Sequence, residues 1–64
     1  MSDTTEQLKS QYEAFLAEDA KFSAGNSAAG TRARKALAEM AKLIKARRTE
    51  ITEEKNARKA AKAA

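Results

Sequence analysis

Both glycines of the chain, Gly25 and Gly30, lie near its middle, and the chain contains no proline. Gly and Pro are the residues that most often interrupt helices, and elsewhere the sequence is rich in strong helix formers such as Ala, Glu, Lys and Leu. Gly also accepts the left-handed conformation that ends many helices, so Gly25 is expected to close a first helix. The sequence therefore predicts an all-α fold of two helices joined by a short turn.

The boundaries of the predicted helices follow from this break. Ser27 or Thr31 has the side chain expected of the N-cap of the second helix. Residues 52–64 contain no large apolar side chain, so the C-terminal end is expected to be frayed or disordered beyond about Asn56. The predicted segments are helix one over about 4–23, the turn over 24–30 and helix two over about 31–56, which together form one helical domain over 1–56, followed by a basic Ala/Lys-rich tail over 57–64.

Apolar side chains recur in steps of three and four in both predicted helices, which is the spacing by which helices pack against each other. Folding back at the turn would pair the two rows as an antiparallel, coiled-coil-like hairpin. Two such hairpins could close a four-helix bundle. Asp19 and Arg47 interrupt the rows, either at an edge that reaches water or as polar contacts that fix the register of a dimer. The rows are Leu8, Tyr12, Phe15 and Phe22 in helix one, and Ala33, Leu37, Met40, Ile44 and Ile51 in helix two.

A chain of 64 residues with few large apolar side chains is too small to bury a sizeable core by itself. Cys and His are absent, so neither disulfides nor the usual zinc sites supply the missing stability, and a homodimer or homotetramer is expected. The same absence removes the commonest general base and the strongest nucleophile, so no catalytic residue, metal or cofactor is expected. The sequence shows no signal peptide and no membrane span, which favours a cytoplasmic protein without a membrane partner.

Charge is distributed unevenly along the chain, whose formal net charge is +4. Residues 1–24 contain five carboxylates and two lysines, a formal charge of −3, whereas residues 25–64 contain eleven cations and four carboxylates, a formal charge of +7. Such a basic half favours a polyanionic partner, and nucleic acid is the commonest such partner. The cations expected to contact DNA phosphates are Arg32, Arg34, Lys35, Lys42, Lys45, Arg48, Lys55, Arg58, Lys59 and Lys62.

The turn itself is a second candidate for phosphate binding. A helix N-terminus presents free N–H groups and a partial positive charge, and small residues would let a phosphate approach the amides of residues 28–32. The alternative is a solvated basic turn that binds no ligand. The predicted phosphate-binding turn consists of Asn26, Ser27, Gly30 and Thr31.

These features predict a protein that binds nucleic acid through its phosphates without sequence specificity, and a multimer with two such surfaces could bridge duplexes. A homo-oligomeric protein-interaction module, whose basic face docks an acidic protein, is the alternative from a different class. An RNA-binding or ribosome-associated protein is a third hypothesis, because charge alone does not distinguish RNA from DNA.

The central stretch reads KFSAGNSAAGTRARK from Lys21 to Lys35. Here the chain resembles the chlamydial-type linker-histone-like family of bacteria, in which a KxxxGNxAAGxRxRK pattern lies between two helices and an Ala/Lys-rich tail often follows. The resemblance implies a nucleoid protein that binds and compacts DNA without sequence specificity. It also implies DNA contacts by Arg32, Arg34 and Lys35. The tail of this chain is shorter than the tails of many relatives.

Overall fold

The fold consists of two helices, α1 over Asp3–Ser23 and α2 over Ser27–Ala63. The computed structural model describes residues 3–63; residues 1, 2 and 64, at the ends of the predicted domain and tail, lie outside the described residues. No strand occurs within residues 3–63, and the predicted all-α class is confirmed. In the same range, neither helix combines the length and the apolar content that crossing a bilayer requires.

The turn between the helices closes through backbone hydrogen bonds around Gly25. The Gly25 N–H donates to the Phe22 carbonyl at 3.0 Å, and the Asn26 N–H donates to the Lys21 carbonyl at 3.0 Å. This pair of bonds is the Schellman arrangement, which requires a left-handed residue at its centre. Gly25 has a φ of 109°, so its predicted role as the residue that ends the first helix is confirmed.

We expect Gly25→Ala to destabilise the protein by about 1–2 kcal/mol, because an L-residue with a Cβ is strained at positive φ. A Cβ at this position would meet nothing within 4 Å, so the cost would come from the backbone alone. Thermal unfolding followed by circular dichroism measures the effect, and Gly25→Asn, which tolerates this region better, is the control. An unchanged melting temperature for Gly25→Ala would contradict the assigned turn.

The second helix begins earlier than the sequence predicts. The side-chain oxygen Oδ1 of Asn26 accepts a hydrogen bond from the Ala29 N–H at 3.2 Å, which makes Asn26 the N-cap of α2. The expectation of Ser27 or Thr31 as the N-cap is therefore corrected, and the turn shortens to residues 24–26. The physical reason is that Asn is as good a cap as Ser and lies directly after the closing glycine.

The two helices contact each other along the length of α1. Near the N-terminus of α1, the Thr4 hydroxyl donates to Glu50 Oε2 at 2.5 Å, and near its C-terminus Glu18 Oε2 accepts from Arg32 Nε at 2.8 Å. The first part of α1 therefore lies beside the middle of α2, and the last part lies beside the beginning of α2. The described molecule is narrow, with extents of 58 × 16 × 13 Å.

Within residues 3–63, alanines are the buried residues of the contact between the helices, and large apolar residues such as Met40 and Leu43 are only half-buried. The buried apolar side chains are those of Ala29, Ala33 and Ala36, which allow the two backbones to approach closely. This contact face shares Ala33, Met40 and Arg47 with the predicted row but otherwise runs one residue earlier along α2. As a result, five large apolar residues of the predicted rows stay 43–52% exposed, as does Leu16: Tyr12, Phe22, Leu37, Ile44 and Ile51.

The C-terminal part of α2 extends beyond α1. Since Thr4 contacts Glu50, the segment from Ile51 to Ala63 has no α1 residue opposite it, yet it remains helical. The predicted end of the second helix near Asn56 and the expected frayed tail are therefore corrected. High helix propensity explains the difference, because this segment is rich in Ala, Lys, Arg and Glu. An ion pair at helical spacing, Arg58 to Glu54 at 2.8 Å, adds to it.

Candidate nucleic-acid interface

A row of exposed residues without any carboxylate runs along α2. The residues follow one another in steps of four and three, so they share one face of the helix. From Arg34 to Lys62 the row covers a length of about 42 Å at the usual helical rise. We call this row the basic stripe; its members are Arg34, Ala38, Ala41, Lys45, Arg48, Thr52, Lys55, Lys59 and Lys62.

The ten cations predicted to contact DNA differ in pairing and position: three form ion pairs, Lys35 lies off the stripe, and six lie on it. Arg32 pairs with Glu18 at 2.8 Å, Lys42 with Glu39 at 3.5 Å and Arg58 with Glu54 at 2.8 Å, and none of these three cations belongs to the basic stripe. Lys35 lies off the stripe, in a groove on the other side of the helix pair. The remaining six form no ion pair within residues 3–63, and all six lie on the basic stripe: Arg34, Lys45, Arg48, Lys55, Lys59 and Lys62.

Six of the seven predicted cations that form no ion pair within residues 3–63 therefore share one surface, whereas Lys35 and the three paired cations lie elsewhere. Periodicity along α2 was available from the sequence and could have identified the acid-free row. The pairing of Arg32 with Glu18 was not available, because these residues are fourteen positions apart and meet only when α1 packs on α2. Thr52, which the sequence did not single out, lies within the stripe and donates its hydroxyl to the Arg48 carbonyl at 3.1 Å.

The predicted phosphate-binding turn is largely absorbed into α2. Ser27, Gly30 and Thr31 are helical, so the amides of residues 30–32 lie where a helix uses them as internal donors. The Ala29 amide donates to Asn26. The expected grip through all amides of residues 28–32 is therefore corrected, because α2 begins four residues earlier than predicted.

Gly30 permits a close approach to the backbone of α2, and the Phe22 side chain occupies that space. A Cβ at position 30 would lie 2.6 Å from Cδ1 of the Phe22 ring, so the ring covers this part of α2. Two amides near the turn, those of Ser27 and Ala28, have no backbone hydrogen-bond partner within residues 3–63. Phosphate binding by these two amides stays a prediction.

Two carboxylates hold the ends of the α1–α2 contact. The Arg32 guanidinium donates a hydrogen bond to Glu18 and lowers the pKa of that carboxyl group, with a smaller contribution from Lys21. The Thr4 hydroxyl and then the Arg47 guanidinium, at 3.0 Å, donate to Glu50 and lower its pKa. Both contacts favour the ionised carboxylate, so both weaken when the carboxylates are protonated.

Acid is accordingly expected to destabilise the helix pair. Lowered pKa values mean that the stabilisation is fully present above about pH 4.5, the ordinary pKa of Glu, and is lost as the pH falls through the lowered values of Glu18 and Glu50. The melting temperature, measured from pH 7 to pH 3, should fall less steeply in the Glu18→Gln, Glu50→Gln variant. Glu13→Gln is the matched control, since no ion pair involves Glu13 within residues 3–63. Equal slopes in all three proteins would refute this assignment.

An apolar groove lies on the side of the helix pair next to the basic stripe. Phe15, Phe22 and Leu37 line it, together with Asp19 and Arg34. Tyr12 lies seven residues before Asp19, and Ile44 and Ile51 follow Leu37 at intervals of seven, so these residues continue the same side along both helices. We call this surface the apolar side; its members are Tyr12, Phe15, Phe22, Leu37, Ile44 and Ile51.

The comparison with protein families decides which kind of protein presents this surface. The family model of the histone H1-like protein Hc1 matches residues 2–57. The chain belongs to the Hc1 family. The predicted resemblance to chlamydial histone-like proteins is thereby confirmed. No curated protein and no solved structure matches the chain.

The match to the Hc1 family covers α1, the turn and most of α2, including the basic stripe as far as Lys55. Hc1 is a family of structural, histone-like proteins rather than of enzymes, and it places the chain in the general class of DNA-binding nucleoid proteins. The last residues of the stripe, Lys59 and Lys62, lie beyond the matched segment.

Proposed function

We propose that this chain binds double-stranded DNA without sequence specificity, through contacts between DNA phosphates and the basic stripe. The observation that carries the proposal is that six exposed cations without an ion pair share one acid-free face of α2. We place the protein at the nucleoid in the cytoplasm, where duplex DNA presents phosphates along its whole length.

Binding on the stripe would depend on phosphate neutralisation and counterion release rather than on base reading. The stripe contains no Asn or Gln, whose amides read adenine edges. Its hydroxyl residue, Thr52, directs its donor to its own helix. A straight helix with flexible Lys and Arg side chains adapts to the phosphates of any sequence.

We further propose that the two helices act as an antiparallel, coiled-coil-like hairpin and that hairpins assemble into a homodimer or homotetramer with a four-helix core. Support comes from the exposed apolar side, because five of its six large residues are 43–52% exposed. An assembly with basic stripes on more than one surface could contact two duplex segments and so bridge or compact DNA.

The apolar side also favours the second hypothesis, a homo-oligomeric protein-interaction module. In that case the chain would self-associate tightly and would not retain DNA at moderate salt. The two hypotheses share the same fold and differ in the ligand of the basic stripe.

Fluorescence anisotropy with a short duplex, measured from about 20 to 200 mM salt, tests the proposed function. If the six cations of the stripe each neutralise one phosphate, log K should fall against log salt with a slope of about −5. Duplexes of unrelated sequence should bind alike. A slope near zero, or no binding at 20 mM salt, would overturn the proposal, and preferential competition by structured RNA would reassign the ligand to RNA.

A further inference from the structure

We infer that the helix pair has a second phosphate-binding site, away from the basic stripe, and that the Glu18 carboxylate occupies this site until a phosphate of duplex DNA displaces it. The second site consists of Lys21, Arg32 and Lys35, none of which belongs to the basic stripe. The inference rests on the proposed function for its ligand. It goes beyond that function by naming a second surface and the residue that restrains it.

Two cations of the second site converge on the Glu18 carboxylate. Arg32 Nε donates to Glu18 Oε2 at 2.8 Å across the contact between the helices. Lys21 Nζ lies 3.8 Å from Oε1 of the same carboxylate. Guanidinium and ammonium groups are also the groups with which proteins bind phosphate oxygens. The free protein therefore contains an anion site that is already formed and is occupied by its own carboxylate.

The cations of the second site are accessible from water, whereas the carboxylate is largely covered. The side chains of Arg32 and Lys21 are 50% and 58% exposed, and that of Glu18 is 20% exposed. Lys35 lines the same groove as Arg32 and forms no ion pair within residues 3–63. A phosphate can therefore contact Lys35 first and then replace Glu18 at Arg32, without separation of the helices.

Carboxylates keep this surface weaker than the basic stripe. Glu39 also lines the groove, and it pairs with Lys42 at 3.5 Å. With the two lysines that pair with its carboxylates, the surface has four cations against two carboxylates, whereas the stripe has six cations and no carboxylate. A first duplex segment therefore binds to the stripe, and the second site binds another segment where DNA is concentrated.

The exchange of Glu18 for a phosphate is favourable at low salt. An exposed ion pair contributes little to stability, because water screens it and two long side chains lose freedom. A phosphate contact, in contrast, releases a counterion from DNA. Removal of the carboxylate should make Arg32 fully available, and one added phosphate contact is worth about 0.9 units of log K at 0.1 M salt.

Fluorescence anisotropy with a short duplex tests the inference on the full chain after Arg48→Glu and Lys55→Glu have weakened the stripe. At about 20 mM salt, Glu18→Gln on this background should tighten duplex binding about tenfold or more and steepen the salt slope by about one unit. Glu13→Gln is the matched control, because it removes the same charge from α1 and no ion pair involves Glu13 within residues 3–63. Equal effects of the two substitutions would overturn the inference.

Arg32→Gln separates the binding role of this ion pair from its structural role. The substitution breaks the same contact between the helices as Glu18→Gln does, but it removes the cation and leaves the carboxylate. It should therefore fail to tighten duplex binding, and in its presence the gain from Glu18→Gln should fall to the gain from Glu13→Gln. Circular dichroism checks that all variants stay helical. A gain that persists without Arg32 would contradict the inference.

The outcomes distinguish failure of the inference from failure of the proposed function. If the natural chain binds no duplex at low salt, both fail, since the second site then has no ligand. If the natural chain binds duplex with a slope near −5 and Glu18→Gln acts no more strongly than Glu13→Gln, only the inference fails. If Arg48→Glu with Lys55→Glu keeps full affinity while Glu18→Gln still tightens binding through Arg32, the stripe is not the site and the second site stands.

Discussion

Reversal of two charges on the basic stripe, with Arg48→Glu and Lys55→Glu, is expected to weaken duplex binding about 100-fold or more at 0.1 M salt. Each phosphate contact contributes about 0.9 units of log K at this salt concentration, so loss of two contacts accounts for most of the decrease in affinity. Repulsion between DNA and the new carboxylates adds to the decrease. The salt slope should become shallower by about two units. Helicity should be retained, because Glu, Lys and Arg have similar helix propensities.

The matched control is Lys9→Glu with Lys21→Glu, which lowers the net charge from +4 to zero just as the stripe variant does. Both of its substituted lysines lie on α1. Anisotropy measured on both variants under identical conditions distinguishes a local site from overall charge. Equal losses of affinity in the two variants would show that the stripe is not the site.

Substitution of Ala33 by Phe is expected to have the largest effect on stability. Ala33 is 7% exposed in the narrow contact between α1 and α2, where a ring has no space unless the helices move apart. Overpacking of this kind costs about 1–3 kcal/mol, a large fraction of the stability of so small a fold. Thermal unfolding by circular dichroism should show a melting temperature lowered by several degrees or more.

Ala46→Phe is the control for this substitution, because Ala46 lies on α2 but is exposed. It should change the melting temperature little. If Ala33→Phe were as stable as the natural chain, the alanines would not form the contact between the helices, and the large apolar residues would have to form it instead.

The two helices and the glycine that ends the first were predictable because they depend on local properties. Helix propensity and the left-handed preference of Gly25 act within a few residues, so the sequence contains them directly. The contact face of α2 was less predictable. Along much of α2, the residues that meet α1 lie one position earlier than the predicted ones. Two rows that both advance in steps of three and four share some residues even when one starts a residue later than the other. The row of large residues was expected inside because burial of large side chains contributes most to stability. The structure places alanines inside and leaves Leu37 and Ile44 outside.

The candidate site was predictable in its charge but not in its arrangement. Counting cations identified the basic half of the chain, whereas the division into paired and unpaired cations depends on contacts such as that of Arg32 with Glu18. Too many backbone amides of the turn were predicted to be free for an anion. The sequence analysis did not recognise Asn26 as the N-cap, and the residues that follow it belong to α2.

The part of α2 that extends beyond α1 is exposed to proteolysis, and its loss would change the net charge of the protein. A lone helical segment of this length opens readily, so trypsin should cut it at Lys55 or Arg58 before it cuts within the paired part. Residues 56–64 carry three cations and no carboxylate, so a single cut after Lys55 would leave ten cations against nine carboxylates and reduce the net charge from +4 to +1. One proteolytic event in the extension would thus remove most of the excess positive charge and leave the helix pair folded.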